Sequence, residues 1–165
     1  QLRTYHHFYL ANRLFLLNLA AIYTTGFECP DRDNILPELL AMLKSVDEIN
    51  QSFNTGFPSQ PLPDAYLDLF HKTIRFVESR DGGIEAFDHL EFIQHYVNPL
   101  FSMNQELIRR YRVKSVSYQD YSLNDAATSI FDKSLFEGLP AKGVYYGITD
   151  QSVIDEIRRM RQAVP

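Results

Sequence analysis

The stretch Phe87-Asp88-His89-Leu90-Glu91-Phe92-Ile93-Gln94-His95-Tyr96-Val97-Asn98-Pro99-Leu100-Phe101 keeps an amphipathic helical rhythm straight through a proline. Proline inside a helix removes one backbone hydrogen bond and clashes with the carbonyl one turn back. The cost is about 3 kcal/mol, so packing on both sides has to hold such a helix together. The stretch therefore predicts a kinked core helix that opens near Asp88 and continues past Pro99 to about Arg112. Leu90, Ile93, Val97, Leu100 and Leu107 recur at helical spacing as its inward face.

Upstream, Leu2 to about Thr25 carries Leu10, Leu14, Leu17 and Ala21 on one side, with Phe8, Phe15 and Ile22 beside them, which predicts a central helix. Gly26 supplies a left-handed C-cap, and Pro30 and Asp31 end any continuation. A second helix is expected from the N-cap Asn34, through Pro37 in its first turn, to about Phe53. Leu36, Leu40, Leu43 and Ile49 mark its buried face. Asn54 to Pro63 holds Gly56, Pro58, Pro61 and Pro63 and reads as a loop. A third helix follows from Pro63 to about Ser79, with Leu67, Phe70, Ile74 and Val77 inward, and Asp81-Gly82-Gly83 stops it. Long helices with short links predict an all-α, antiparallel up-down bundle over about residues 1–113.

After Val113 the pieces shorten. A Ser122-capped helical turn through Phe131, a loop from Gly138 to Gly147, a brief strand at Val144 to Ile148 and a last helix from about Asp150 to Arg161 are expected to wrap around the bundle. The whole reads as a single domain. At 165 residues such a domain buries roughly 70% of the surface its unfolded chain exposes, enough for a core.

Lys and Arg total 16 against 21 Asp and Glu, a net charge of -5. This balance argues against general nucleic-acid binding, because phosphate contacts need clustered positive charge. Cys29 is the sole cysteine, so the chain has no internal disulfide, no CxxC metal site and no Cys-x-x-Cys-His haem attachment. The longest apolar run, Leu14 to Tyr23, is interrupted by Asn18 and is too short to span a bilayer, so no membrane-spanning segment is expected. No targeting signal is visible.

Glu91 and His95 stand at i and i+4, the spacing that brings two metal ligands to one helix face. Two ligands fall short of a site, and a surface ion pair worth a few tenths of a kcal/mol is the expected role of the pair. His6 and His7 project about 100° apart on a helix and do not chelate together. His71 and His89 have no acidic residue at helical spacing that completes a ligand set, so all five histidines are expected in packing or surface roles. No Gly-x-Ser-x-Gly elbow occurs, and Gly82-Gly83 lacks the Lys-Ser/Thr that completes a phosphate loop. Catalytic and cofactor-binding residues are thus expected to be absent. Arg109, Arg110, Arg112 and Lys114 close the fourth helix, and Arg158, Arg159 and Arg161 the last. Cations there favour the helix dipole by about 0.3–1 kcal/mol each, or form a docking face for an acidic partner or for haem propionates.

Three segments in the same order carry a family likeness. Thr25-Gly26-Phe27-Glu28-Cys29-Pro30 is similar to a Thr-Gly-Phe-acidic-x-Pro turn. Phe87 to Phe101 resembles the phrase Phe-Asp-Arg-Leu-x-Phe-Ile-x-x-Tyr-x-Asn-Pro-Leu, with His89 in place of the arginine. Ser122 to Phe131 is similar to an Asn-x-x-Ala-x-Ser-Ile-Phe element. Together they resemble the N-terminal helical, imelysin-like region of bacterial di-haem cytochrome c peroxidase and MauG-like proteins. Gly26, Asp88, Asn98, Pro99 and Asn124 are the motif positions.

The resemblance implies a non-catalytic accessory or docking segment of an exported oxidoreductase, periplasmic or associated with the outer envelope. Peroxide reduction and electron transfer would then belong to c-type haem domains outside this chain, and those domains or a redox partner protein would be its partners. The chain, lacking haem motifs, reads as a fragment or a stand-alone relative of that type. An imelysin-like module binding iron, haem or a surface ligand is the alternative. The His-x-x-Glu motif of that group is absent, since Tyr9, Leu10, Ile74, Phe92 and Asn98 stand three residues after the five histidines. An enzyme acting by itself is the third reading.

Overall fold

Apolar side chains recurring every three or four residues roll the chain into rods that bury one stripe each. The computed structural model describes residues 4–21, 23–24, 31–80, 83–114 and 123–136, together with Gln151, Asp155 and Arg159. Helix α1 spans Tyr5–Ala21, α2 Ile35–Gly56 and α3 Asp64–Glu78. Then α4, His89–Phe92, and α5, Asn98–Arg110, are joined end to end by a π turn, Ile93–Val97. Short 3-10 turns occupy Arg32–Asn34, Ile84–Ala86 and Lys133–Phe136, and no strand occurs among the described residues. The fold is an all-α helical bundle.

Neighbouring helices run in opposite directions. Tyr5 meets the end of α5 at Tyr111, while Asn12 meets Asn104 further up that helix. Lys44 of α2 pairs with Glu78 of α3, and Asn54 with the backbone of Leu62 at the other end. Phe8 of α1 stacks on Phe53 of α2 with ring centroids 3.6 Å apart. Phe70, Phe92, Phe101, Leu16, Leu43 and Leu100 are among the side chains fully withdrawn from solvent between the rods.

Pro99 is accommodated by the π turn, where the Asn98 N–H reaches back five residues to the Ile93 carbonyl. A wide turn moves aside the carbonyl that a pyrrolidine ring would strike in a regular α-helix. It also holds one extra residue, which rotates everything upstream by about 100°. Phe92 and Val97, five apart, therefore share the buried face, while Leu90 is 60% exposed and Ile93 only half-buried. The inward assignment of Leu90 is thereby corrected.

In α1 the buried stripe is Phe8, Tyr9, Asn12, Arg13, Leu16 and Leu19. Leu14 and Ala21 face outward and Leu10 and Leu17 lie at the margin, so the expected face is corrected. Counting apolar residues misplaced that stripe because two of its members are polar and are satisfied internally. In α2, Ile49 is exposed, whereas Leu39, Asn50 and Phe53 join Leu36 and Leu43 inside. Asn34 makes no side-chain cap; Asp31 does that work one turn earlier, accepting from the Asp33 N–H and the Asn34 amide. The α3 assignments hold for Phe70, Ile74 and Val77, with Leu67 half-buried. Gly26, Cys29, Ser122, the 138–147 loop and the 144–148 strand lie outside the described residues. Of the last helix, Gln151, Asp155 and Arg159 are helical.

Candidate functional site

Asp88 caps α4 by accepting a hydrogen bond from the Glu91 N–H at 2.8 Å, as a short carboxylate preceding the first helical residue does. Glu91 itself turns to the end of α3, where its carboxylate takes the Arg80 guanidinium at 3.0 Å while that group lies 4.0 Å over the Phe76 ring. The expected Glu91–His95 ion pair is replaced by this one. His95 is exposed on the π turn, whose wider pitch removes it from the i, i+4 register with Glu91. Among the described residues no three His, Cys, Asp or Glu side chains converge as a metal ligand set.

Three of the other histidines bind structure. His71 Nε2 lies 3.1 and 3.2 Å from the two Asp47 oxygens, linking α3 to α2. His6 Nδ1 accepts from the Lys114 N–H at 3.2 Å, tying the start of α1 to the chain beyond α5. His89 presents Nδ1 to the Phe87 carbonyl at 3.0 Å and Nε2 to the Thr24 carbonyl. A neutral imidazole has one N–H to offer two carbonyls, so this position suits a side chain with two donors. Among the described residues, no hydrogen bond joins a serine or threonine hydroxyl to a histidine ring.

The densest polar cluster lies in the core, where the sequence reading had none. Asn12 Nδ2 donates to the Tyr66 hydroxyl at 2.8 Å and to Asn104 Oδ1 at 3.0 Å, and Asn104 Nδ2 donates to the Tyr9 carbonyl at 3.2 Å. Beside them Arg13 Nη1 reaches Asp125 Oδ1 at 2.6 Å and Gln105 Oε1 at 3.4 Å. Gln105 Nε2 in turn donates to the carbonyls of Asn124 and Ala127 at 3.1 and 3.0 Å. Burial pushes the Tyr66 phenol well above its usual value, the Asn12 hydrogen bond pulling the other way. Burial raises the Tyr9 phenol too, aided by Tyr111 and Tyr66. Both phenols stay protonated at neutral pH and act as hydrogen-bonding groups. The signal for this layer was present as two adjacent polar pairs, Asn12-Arg13 in the apolar α1 and Asn104-Gln105 in α5.

A second joint attaches residues 123–136. Asn98 Oδ1, one residue before the proline, accepts from Ser129 Oγ at 2.8 Å and from the Ile130 N–H at 3.0 Å. Asn124 folds the segment on itself: its Oδ1 accepts from the Ala126 N–H, its Nδ2 donates to Ser134 Oγ, and its N–H bonds the Leu135 carbonyl. Asp132 accepts from the Ser134 N–H and hydroxyl and from the Thr128 N–H, and these bonds hold its carboxyl below the usual aspartate range. Of the expected motif positions, Asp88, Asn98, Pro99 and Asn124 thus cap, bend or fasten the chain.

The outer face of α2 bears a groove of 380 Å³ lined by Ser45, Glu48, Ile49, Ser52, Phe53 and Phe57, with Glu48 its single ionisable group. Among the described residues no helix is long and apolar enough to cross a membrane. No protein family, no curated protein and no solved structure matches the chain.

Proposed function

We propose that this chain is a non-catalytic docking domain of a di-haem cytochrome c peroxidase-like protein, exported to the periplasm or outer envelope, in which c-type haem domains outside this chain carry out peroxide reduction. The observation that carries the reading is the Asn98 joint. Two of the segments that carry the likeness, Phe87 to Phe101 and Ser122 to Phe131, meet there through Asn98, Ser129 and Ile130. Within the first of these segments Asp88 caps, Pro99 is seated by the π turn and Asn98 fastens the second segment, architectural work that supports an accessory role. His89, standing where the phrase has arginine, lies between the Phe87 and Thr24 carbonyls and ties the start of the phrase to the chain after α1. With Cys29 alone, the chain has no residues for covalent c-type haem attachment, so the haem chemistry is assigned elsewhere.

The test lies in the reading frame: downstream of this chain it should encode two Cys-x-x-Cys-His motifs, and a stop codon before any such motif would refute the assignment. The alternative, an imelysin-like module for iron or haem, predicts that haem or ferrous iron raises the melting temperature of the purified chain. No shift and no spectral change would exclude it.

A further inference from the structure

Helix α5 ends in a left-handed turn built around an arginine. The Val113 N–H bonds the Ile108 carbonyl at 2.9 Å and the Arg112 N–H bonds the Arg109 carbonyl at 3.2 Å, with Val113 buried beneath. This six-to-one and five-to-two pair is the Schellman arrangement, in which the residue at positive φ is usually glycine. Here it is Arg112 at φ 50°, a conformation that costs a residue with a Cβ atom stability. The helix-end carbonyls need no cation, because backbone N–H groups cap them and the Tyr5 hydroxyl takes the Tyr111 carbonyl. Arg112 and Lys114 are exposed and form no ion pair among the described residues, whereas Arg110 is held by Glu106 and Arg109 donates to the Asp125 carbonyl. Over residues 106–114 the chain places four cations against one carboxylate, although its net charge is -5.

We infer that this end of the bundle, centred on Arg112 and Lys114 with His6 beside Lys114, is a docking face for an acidic protein surface. The inference rests on the docking reading above and names its contact. At this left-handed position Arg112 caps nothing inside the chain and is exposed, so its charge is open to an outside partner. An acidic protein segment fits better than nucleic acid or an anionic membrane, because the cations are few and the rest of the molecule is negative.

The test is fluorescence anisotropy of a labelled decaglutamate peptide with the whole chain at low ionic strength, using wild type, Arg112→Gly, Lys114→Gln, and Lys72→Gln as an equal-charge control on α3. Each patch variant should weaken binding about threefold and the pair together about tenfold, as exposed charge pairs do. The control should leave binding unchanged, and Arg112→Gly should melt about 2–4 °C higher, showing that it folds. Equal weakening by Lys72→Gln, no binding by wild type, or tighter binding to phosphatidylglycerol vesicles than to the peptide would each overturn the inference. If two haem motifs are found downstream and the peptide test fails, the docking domain stands and its contact lies elsewhere.

Discussion

Asn12 and Asn104 exemplify how a residue that reads as surface can be core. An amide buried without a partner costs about 1–3 kcal/mol, yet here each meets the other across α1 and α5. Asn104→Leu should therefore destabilise by about 1–3 kcal/mol, because it leaves one Asn12 N–H without its buried acceptor while the other still reaches Tyr66. The double variant Asn12→Leu/Asn104→Leu should lose less than the sum of the single losses. A double-mutant cycle from urea denaturation measures the coupling, and strict additivity would show that the two amides act independently.

At the same scale, Asp132 sets a pH dependence for the 128–134 turn. Its folded value lies below the unfolded one, so its support is present above the usual aspartate range and is lost as pH falls through the lowered folded value. The amide resonances of Thr128 and Ser134 should titrate together with a midpoint below that of an ordinary aspartate. The titration should vanish in Asp132→Asn, and a midpoint at or above the ordinary value would contradict the hydrogen bonding described.

Among the elements, the rod from α4 through the π turn to α5 shows why a proline inside a periodic pattern was readable and its consequence was not. The pattern announced a helix continuing through Pro99, and the packed core on both sides bears that out. What periodicity could not deliver was phase, because a π turn inserts one residue without leaving a mark in composition. Leu90 was assigned inward for that reason, and Phe92 holds the position instead. Deleting the exposed Gln94 should convert the π turn to a regular one, leaving Phe92 on the core face four residues before Val97 but setting the Pro99 ring against the carbonyl one turn back. That clash predicts a cost of about 3 kcal/mol, read as a fall in denaturation midpoint. A deletion variant as stable as wild type would mean that the π turn is not what accommodates Pro99.

For the whole molecule, helix number, order and direction followed from apolar spacing and loop punctuation, since those depend on local chemistry. The polar layer and the Asn98 joint did not, because they pair residues 92 and 31 positions apart whose partners no local pattern specifies. The docking face was half legible: Arg109, Arg110, Arg112 and Lys114 stood out as a cluster. Only the backbone at Arg112 separates a cation that serves the helix from one that faces outward.

The most direct measurement is the haem content, by pyridine haemochrome and intact mass, of the native polypeptide captured from its source cells with an antibody against this chain. Two covalently attached c-type haems on a polypeptide longer than 165 residues are predicted for a di-haem peroxidase-like protein. A captured polypeptide without covalent haem would contradict it.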